Sequence, residues 1–431
     1  VYIPPPFVFD EQRNKTALYP SEARDRDLTY ESTVFVDVTE IMEEKNGKIE
    51  KIIHKRESIC KIPIMIGSEK CNLYSCFPNE LIQKGECGND VGGYFIIKGK
   101  ERVLVTQQRN IYNLVNVYEQ KQKIKYSHIA EIRSMSSETG HSILIQVCLK
   151  IDTKSIVIII PHIKVPMPIG IVYKALGFLE ESDILKFIGL GEENGAASVE
   201  SSFLVSNIFR ECYLTSTQEE ALEYIGDRSF SVLKPTQRID FAKQVIENEL
   251  FPHMGIMSSS KEKAFFVGHI IKKLILTVIG SRQCDDIDTY INKRFEPAGI
   301  LCQELFRNLY KKYIIQLNQQ LESKTRYNII STMSRINVIT TGLRHSFSTG
   351  NWGVQKSYIR LGVSQVLSRL TYGATLSHMR RFMIPFGKEG KNTKMRQIHS
   401  SQIMFTCPSE TPEGQGVGTV LNFSLLTSIT S

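Results

Sequence analysis

KSYIRLGVSQVLSRLTYGATLSHMRRFMIPFGKEGKNTKMR, Lys356 to Arg396, decides how the rest of the chain is read. It holds nine Lys/Arg and one acidic residue, Glu389, so its formal charge of +8 equals that of the whole 431-residue chain. Everything outside it balances, 44 basic residues against 44 acidic. Positive charge gathered this way is the electrostatic footprint of a polyanion partner, most often nucleic acid. The competing reading is a solvated basic surface. The next residues, QIHSSQIMFTCPSETPEGQGVGTVLNFSLL from Gln397 to Leu426, favour a functional edge. In CPSETPEG, Pro408 and Pro412 fix φ and hold Glu410 and Glu413 on a rigid, turn-rich frame.

The bulk of the chain is that of a folded protein: 42% hydrophobic and 23% charged residues suffice for a core, and 431 residues call for two or three domains. The nine cysteines (60, 71, 76, 87, 148, 212, 284, 302 and 407) form no CxxC pair. An odd, scattered set reads as reduced thiols of cytosol or nucleus. Cys71, Cys76 and Cys87 come nearest to a metal cluster, but their spacing is poor and no His lies close. The first residue is not Met and the last residues interrupt an apolar run, so the sequence reads as a piece of a longer chain. Ala264–Ile279 is apolar but short and carries Lys272 and Lys273, which predicts a buried helix and no membrane span.

Residues 1–130 read as β-rich. Val34–Val38 mixes β-branched and aromatic residues, and Asn46-Gly47 separates Val38–Met42 from Ile49–Ile53 as a type I′ hairpin requires. Ile59–Ile66 is a further strand. Tyr94–Ile97 and Val103–Val105 flank Lys98-Gly99-Lys100-Glu101, a second tight hairpin, and Gly92-Gly93 before it reads as a strained turn. Lys98, Lys100, Arg102 and Arg109 could touch DNA or simply decorate a solvated hairpin. Further on come strands at Ile143–Leu149 and Ile156–Ile160 and helices at Ile169–Phe178 and Thr236–Leu250. Thr217-Gln218-Glu219-Glu220 is a capping box, with Gly226 expected at the C′ end of its helix. Acidic residues dominate Glu180–Glu223, a face that should repel nucleic acid. Asp285, Asp286 and Asp288 have a spacing that could hold Mg²⁺, but Lys293-Arg294 lie close enough to neutralise them. Pro297 opens a helix from Ala298 to Leu321, and a second spans Asn337–Phe347.

GVSQVLSRLTYGATLSHMRR, GKEGKNTKMRQIH and CPSETPEGQGVG, in that order, closely resemble the fork region of the second-largest subunit of multisubunit RNA polymerases. The resemblance extends upstream through ALYPSEARDRDLTY, GGYFIIKGKERVLVTQQR, FPHMG, DDIDTYINKR and TGNWG, and favours the eukaryotic polymerase II type or a virus polymerase derived from it. It implies an α+β, multidomain fold: a mixed α/β protrusion (1–130 and 294–352), a lobe (131–293) and a loop-rich fork (353–431). It implies part of a DNA-directed RNA polymerase, inactive alone. DNA template, RNA–DNA hybrid, ribonucleoside triphosphates, the largest subunit and smaller subunits would be partners, with initiation factors on lobe and protrusion and no membrane. No cofactor is expected on this stretch. Mg²⁺ would be held by the largest subunit and zinc by a C-terminal region outside it. The nucleus is the implied compartment, or a cytoplasmic factory for a virus.

A hybrid held without regard to sequence is gripped through phosphates and sugars. Arg360, Gln365, Arg369, Arg380 and Arg381 match family positions lining the hybrid near the RNA 3′ end. Lys388, Lys391 and Lys394 lie on a basic Gly-rich loop at the strand fork. Arg396 is the catalytic candidate, giving electrostatic help to the triphosphate. Gln397, His399, Glu410 and Glu413 would support it, the two glutamates by orienting Arg396. His378 reads as a hydrogen-bonded structural residue. Met395 stands where the family usually has proline, and Ser409 where alanine or isoleucine is common, so loop geometry should shift more than chemistry. The alternatives are a non-enzymatic nucleic-acid-binding module, with steep salt dependence, and a protein-interaction scaffold built on the acidic face.

Overall fold

The computed structural model describes residues 1–10, 12–43, 49–120, 124–189, 196–210, 213, 215–230, 234–255, 258–322, 328–353, 360–385 and 393–430. Two compact units emerge: Val1–Arg109 with Arg294–Ser431, and Asn110–Lys293. Both mix helices with small sheets, the α+β class expected.

In the discontinuous unit, Glu31–Glu43 and Ile49–Pro63 form an antiparallel ribbon in which Val38 faces His54 and Glu43 faces Ile49. The Asn46-Gly47 turn lies outside the described residues. The second hairpin pairs Phe95–Ile97 with Lys100–Leu104. Its connection is only Lys98-Gly99, both at positive φ (49° and 71°), the conformation of a type I′ turn. Gly92 lies at φ 67°, where a Cβ would stand 2.6 Å from the Ile66 carbonyl oxygen, so close backbone approach demands glycine.

The basic stretch completes two of this unit's sheets. Ser364–Val366 adds to the free edge of Lys100–Leu104, and Arg381–Met383 runs parallel to Thr106–Asn110 and antiparallel to Val420–Asn422. Beneath lie the helices Ala298–Glu322 and Val338–Thr349. Leu301, Leu305, Leu309 and Tyr313 repeat every four residues and are all buried against Ile339, Leu343 and Phe347. Trp352 closes the cluster, its indole N–H donating to the Leu301 carbonyl at 2.9 Å. A short helix, Ile329–Arg335, capped by the Asn328 side chain, was not anticipated.

The continuous unit is an antiparallel meander, Val115–Glu119, Tyr126–Met135, Ser142–Lys150, Ile156–Ile159 and Met167–Pro168 in sequential order, covered by helices. Its longest helix, Ser260–Ile279, starts at a Ser259/Glu262 capping box and ends at Gly280 with φ 86°. Val267, Ile270, Ile271, Leu274 and Ile275 are buried to within 1%, each worth up to ~1.5–3 kcal/mol. Lys272 and Lys273 bend out to the Gly189 and Val115 carbonyls. Among the described residues no helix is long and apolar enough to cross a membrane.

The Thr217 capping box forms as expected, but the helix runs Gln218–Asp227 and Gly226 lies inside it. A Cβ there would stand 2.4 Å from the Arg238 carbonyl oxygen. Gly226 is therefore a close-packing residue against the helix Pro235–Gln244, and the C′ expectation is corrected.

Candidate nucleic-acid interface

The charges of the fork stretch divide by their partners. Arg369 makes a two-pronged contact with Glu101, Nε to Oε2 at 2.7 Å and Nη2 to Oε1 at 3.0 Å, with Asp90 at 3.7 Å and the Tyr94 ring 4.9 Å away. Hydrogen bonding to Glu101 holds its pKa above the ordinary arginine value. Arg24 shares Glu101 at 3.1 Å and also bonds Glu86, so two cations and three carboxylates make one ionic cluster. Arg360 donates to Glu296 at 2.5 Å and lies 3.7 Å from Glu304. Glu296, almost fully buried, also receives Arg109 at 2.8 Å. The formal +8 thus overstates the field, because carboxylates from elsewhere in the fold neutralise Arg360 and Arg369.

Arg380, Arg381 and Arg396 have no carboxylate partner among the described residues. Arg380 Nη2 donates to the Ser424, Leu425 and Thr427 carbonyls at 2.6, 3.2 and 3.1 Å, tying the helix Tyr372–Met379 to the C-terminal segment. Arg381 opens the strand Arg381–Met383 opposite Asn422 and is half-buried. Arg102, between Phe95 and Val366 in the three-stranded sheet, likewise has no side-chain partner among the described residues, and burial pulls its pKa below the ordinary value.

Arg396 ends a short 3₁₀ turn, Lys394–Arg396, and its Nη1 donates to the Gln415 and Val417 carbonyls at 2.6 and 2.8 Å. Gly418, at φ 71°, passes so near that a Cβ would stand 2.4 Å from the Arg396 carbonyl oxygen. Two neutral acceptors thus fix a half-exposed guanidinium while leaving its charge uncompensated. The expected orientation by Glu410 and Glu413 is not what the fold shows. Glu410 accepts from the Ser377 hydroxyl, tying the loop to the helix Tyr372–Met379, and Glu413 is exposed. The reason is steric economy: GQGVG turns its own carbonyls inward, filling the place where carboxylates were expected. His399 is held locally, Nδ1 on the Ser401 hydroxyl at 2.6 Å and on its N–H at 3.2 Å. Gln397 and Lys394 are exposed. Lys388 and Lys391 lie outside the described residues.

Gln365 and His378 are brought together, Nε2 of His378 lying 3.0 Å from Gln365 Oε1. His378 is 5% exposed, and burial, then Arg381, pushes it down to about 4, so the imidazole is neutral. This agrees with the structural role expected for it. Asp285, the tempting metal ligand, is engaged instead by Arg282, by Lys273 at 3.4 Å and by the Val117 N–H at 2.8 Å. Cys76 receives Lys84 Nζ at 3.0 Å, Cys71 is buried beside Tyr30, and Cys87 is exposed. Among the described residues no three His, Cys, Asp or Glu converge to hold a metal.

Residues 1–343 match the family model described as RNA polymerase beta subunit, and residues 365–429 match RNA polymerase Rpb2, domain 3. The chain belongs to the RNA polymerase beta-subunit family. Within it, the chain is 41% identical over its whole length to an RNA polymerase II subunit RPB2 homologue of Invertebrate iridescent virus 6, covering 39% of that protein. DNA-directed RNA polymerase II subunit 2 of Arabidopsis thaliana is 36% identical over the whole chain, with 38% of the relative covered. DNA-directed RNA polymerase subunit Rpo2 of Saccharolobus solfataricus is 32% identical over 98% of the chain, 36% of the relative. The chain therefore spans about two fifths of the length of these relatives.

Proposed function

We propose that this chain is the part of a DNA-directed RNA polymerase's second-largest subunit that carries protrusion, lobe and fork. There it helps form the active centre and grips the RNA–DNA hybrid and downstream DNA during template-directed synthesis from ribonucleoside triphosphates. The observation that carries the reading is the two family models in order along one chain, the second falling on the fork stretch. The polymerase II relatives favour that type and a nuclear setting, or a cytoplasmic factory for a virus.

In this reading Arg381 and Arg102 offer charge to hybrid phosphates, Lys388, Lys391 and Lys394 to the downstream strands, and Arg396 to the triphosphate. Arg360, Arg369 and Arg380 hold the frame on which those groups stand, with contact to the backbone through the donors they keep. Gln397 and His399 flank Arg396. Mg²⁺ belongs to the largest subunit, in keeping with Asp285 being already committed to two cations; zinc belongs to the C-terminal region of the longer subunit. Largest and smaller subunits are the assembly partners, and initiation factors dock on lobe and protrusion.

The test is single-nucleotide addition on a preformed hybrid scaffold, with the subunit reconstituted into polymerase. Arg396→Glu should slow addition in intact complexes, and Arg381→Glu should shorten complex lifetime and make it less sensitive to salt, because a phosphate contact is lost. Unchanged addition and lifetime in both would reduce the fork stretch to a surface and remove the proposed chemistry.

A further inference from the structure

We infer that His378 is a positioning residue for Gln365, fixing which end of its carboxamide faces the nucleic acid. The inference rests on the reading of Gln365 as a hybrid contact. His378 Nδ1 lies 3.1 Å from the Ser368 N–H. A backbone amide can only donate, so Nδ1 is the bare nitrogen and Nε2 carries the proton. Nε2–H therefore donates across 3.0 Å, and its acceptor has to be the oxygen of Gln365. The carboxamide is thereby oriented by chemistry: oxygen to the imidazole, nitrogen away from it.

The nitrogen so turned has two protons. One is taken by the Gly362 carbonyl at 3.0 Å, while the other, among the described residues, meets only the Met383 thioether at 3.7 Å. A thioether is a weak acceptor, so this half-buried N–H is open to a stronger one, such as a sugar hydroxyl or phosphate oxygen. Without the Nε2–H donor the carboxamide could rotate by half a turn and present an acceptor where a donor is needed. His378 is itself placed by its own helix, where Thr375 Oγ1 bonds the Ser368 carbonyl at 2.7 Å and closes the loop carrying the Ser368 amide.

Two substitutions separate this role from a merely structural one. His378→Asn puts an amide oxygen where Nδ1 accepted from Ser368, but leaves nothing to donate to Gln365. His378→Gln places an N–H near the Nε2 position and restores the donor. In reconstituted polymerase, with hybrid dissociation and the KM for single-nucleotide addition as readouts, Gln365→Ala should cost roughly five- to tenfold. His378→Asn should match it, His378→Gln should stay near wild type, and His378→Asn/Gln365→Ala should be no worse than Gln365→Ala alone. A full effect of Gln365→Ala with His378→Asn at wild-type level, or additivity of the two, overturns the positioning role alone. A silent Gln365→Ala sinks the hybrid contact and the inference with it. Should His378→Asn fail to assemble, Gln365→Glu carries the test. It keeps the oxygen facing Nε2–H but loses the amide donor, so it should be as impaired as Gln365→Ala, and wild-type behaviour refutes the proposal.

Discussion

Glu296→Gln tests whether Arg360 is held by the fold before any ligand arrives. The Glu296 carboxylate, 4% exposed, receives Arg360 at 2.5 Å and Arg109 at 2.8 Å. Removing one member of a buried ion pair costs about 3–5 kcal/mol, because the charge left behind stays desolvated. Here the arginine side chains are 26% and 23% exposed and Arg360 retains Glu304 at 3.7 Å, which discounts the loss to ~2–3 kcal/mol. At ~2–4 °C per kcal/mol in a unit of this size, the transition of the discontinuous unit should fall by roughly 4–12 °C. Thermal denaturation of the whole chain by circular dichroism reads it. Arg360→Met added to Glu296→Gln should recover part of the loss by relieving repulsion between the two guanidiniums. A fall of less than ~2 °C, or no recovery in the double variant, would refute the claim that Glu296 neutralises Arg360.

Gly226→Ala should cost about 1–3 kcal/mol in denaturant unfolding, since its methyl would meet the Arg238 backbone at 2.4 Å; a neutral result would mean the two helices part freely. Burial by itself would raise the Asp285 pKa, but Arg282, the Val117 amide and Lys273 outweigh it and hold it below the usual carboxylate value. Its stabilisation is present above the unfolded-state pKa of ~3.9 and lost as pH falls through the lower folded value. Asp285→Asn should therefore destabilise at neutral pH and flatten the acid limb of a stability–pH curve. His378 has the opposite chemistry with the same direction of loss. Its folded value of about 4 lies below the unfolded ~6.5, so stability is full above pH ~6.5 and declines towards pH 4 by up to ~3 kcal/mol, a slope that His378→Gln should abolish.

What was legible in the sequence is what neighbouring residues decide. The hairpin around Lys98-Gly99 was expected, though its connection is two residues where four were read, and Thr217/Glu220 starts its helix by reciprocal hydrogen bonds three residues apart. The four-residue rhythm of Leu301, Leu305 and Leu309 placed the long helix and its buried face together. What escaped was decided by partners far away in the chain. Nothing near Arg369 points to Glu101, and nothing near Arg360 points to Glu296, so charges that look free in the sequence are spent in the fold. Backbone acceptors are invisible to residue types, which is why glutamates were expected around Arg396 where Gln415 and Val417 carbonyls stand. Gly226 misled for a related reason: a glycine near a helix end suits a C′ position, and only the approach of a second helix reveals the other use.

The contact between Arg369 and Glu101 spans 268 residues of chain, with the whole continuous unit encoded between them. On a ribosome adding ~5–20 residues per second, the strand Lys100–Leu104 waits roughly 13–54 s for Ser364–Val366 to reach its open edge. The inserted meander pairs each strand with its neighbour in sequence and can form first, while the discontinuous unit holds a bare β edge in the crowded cell. Misassembly during synthesis should therefore begin at that edge, and a chaperone or an early-arriving subunit that shields it would raise the yield of folded protein without touching the finished structure.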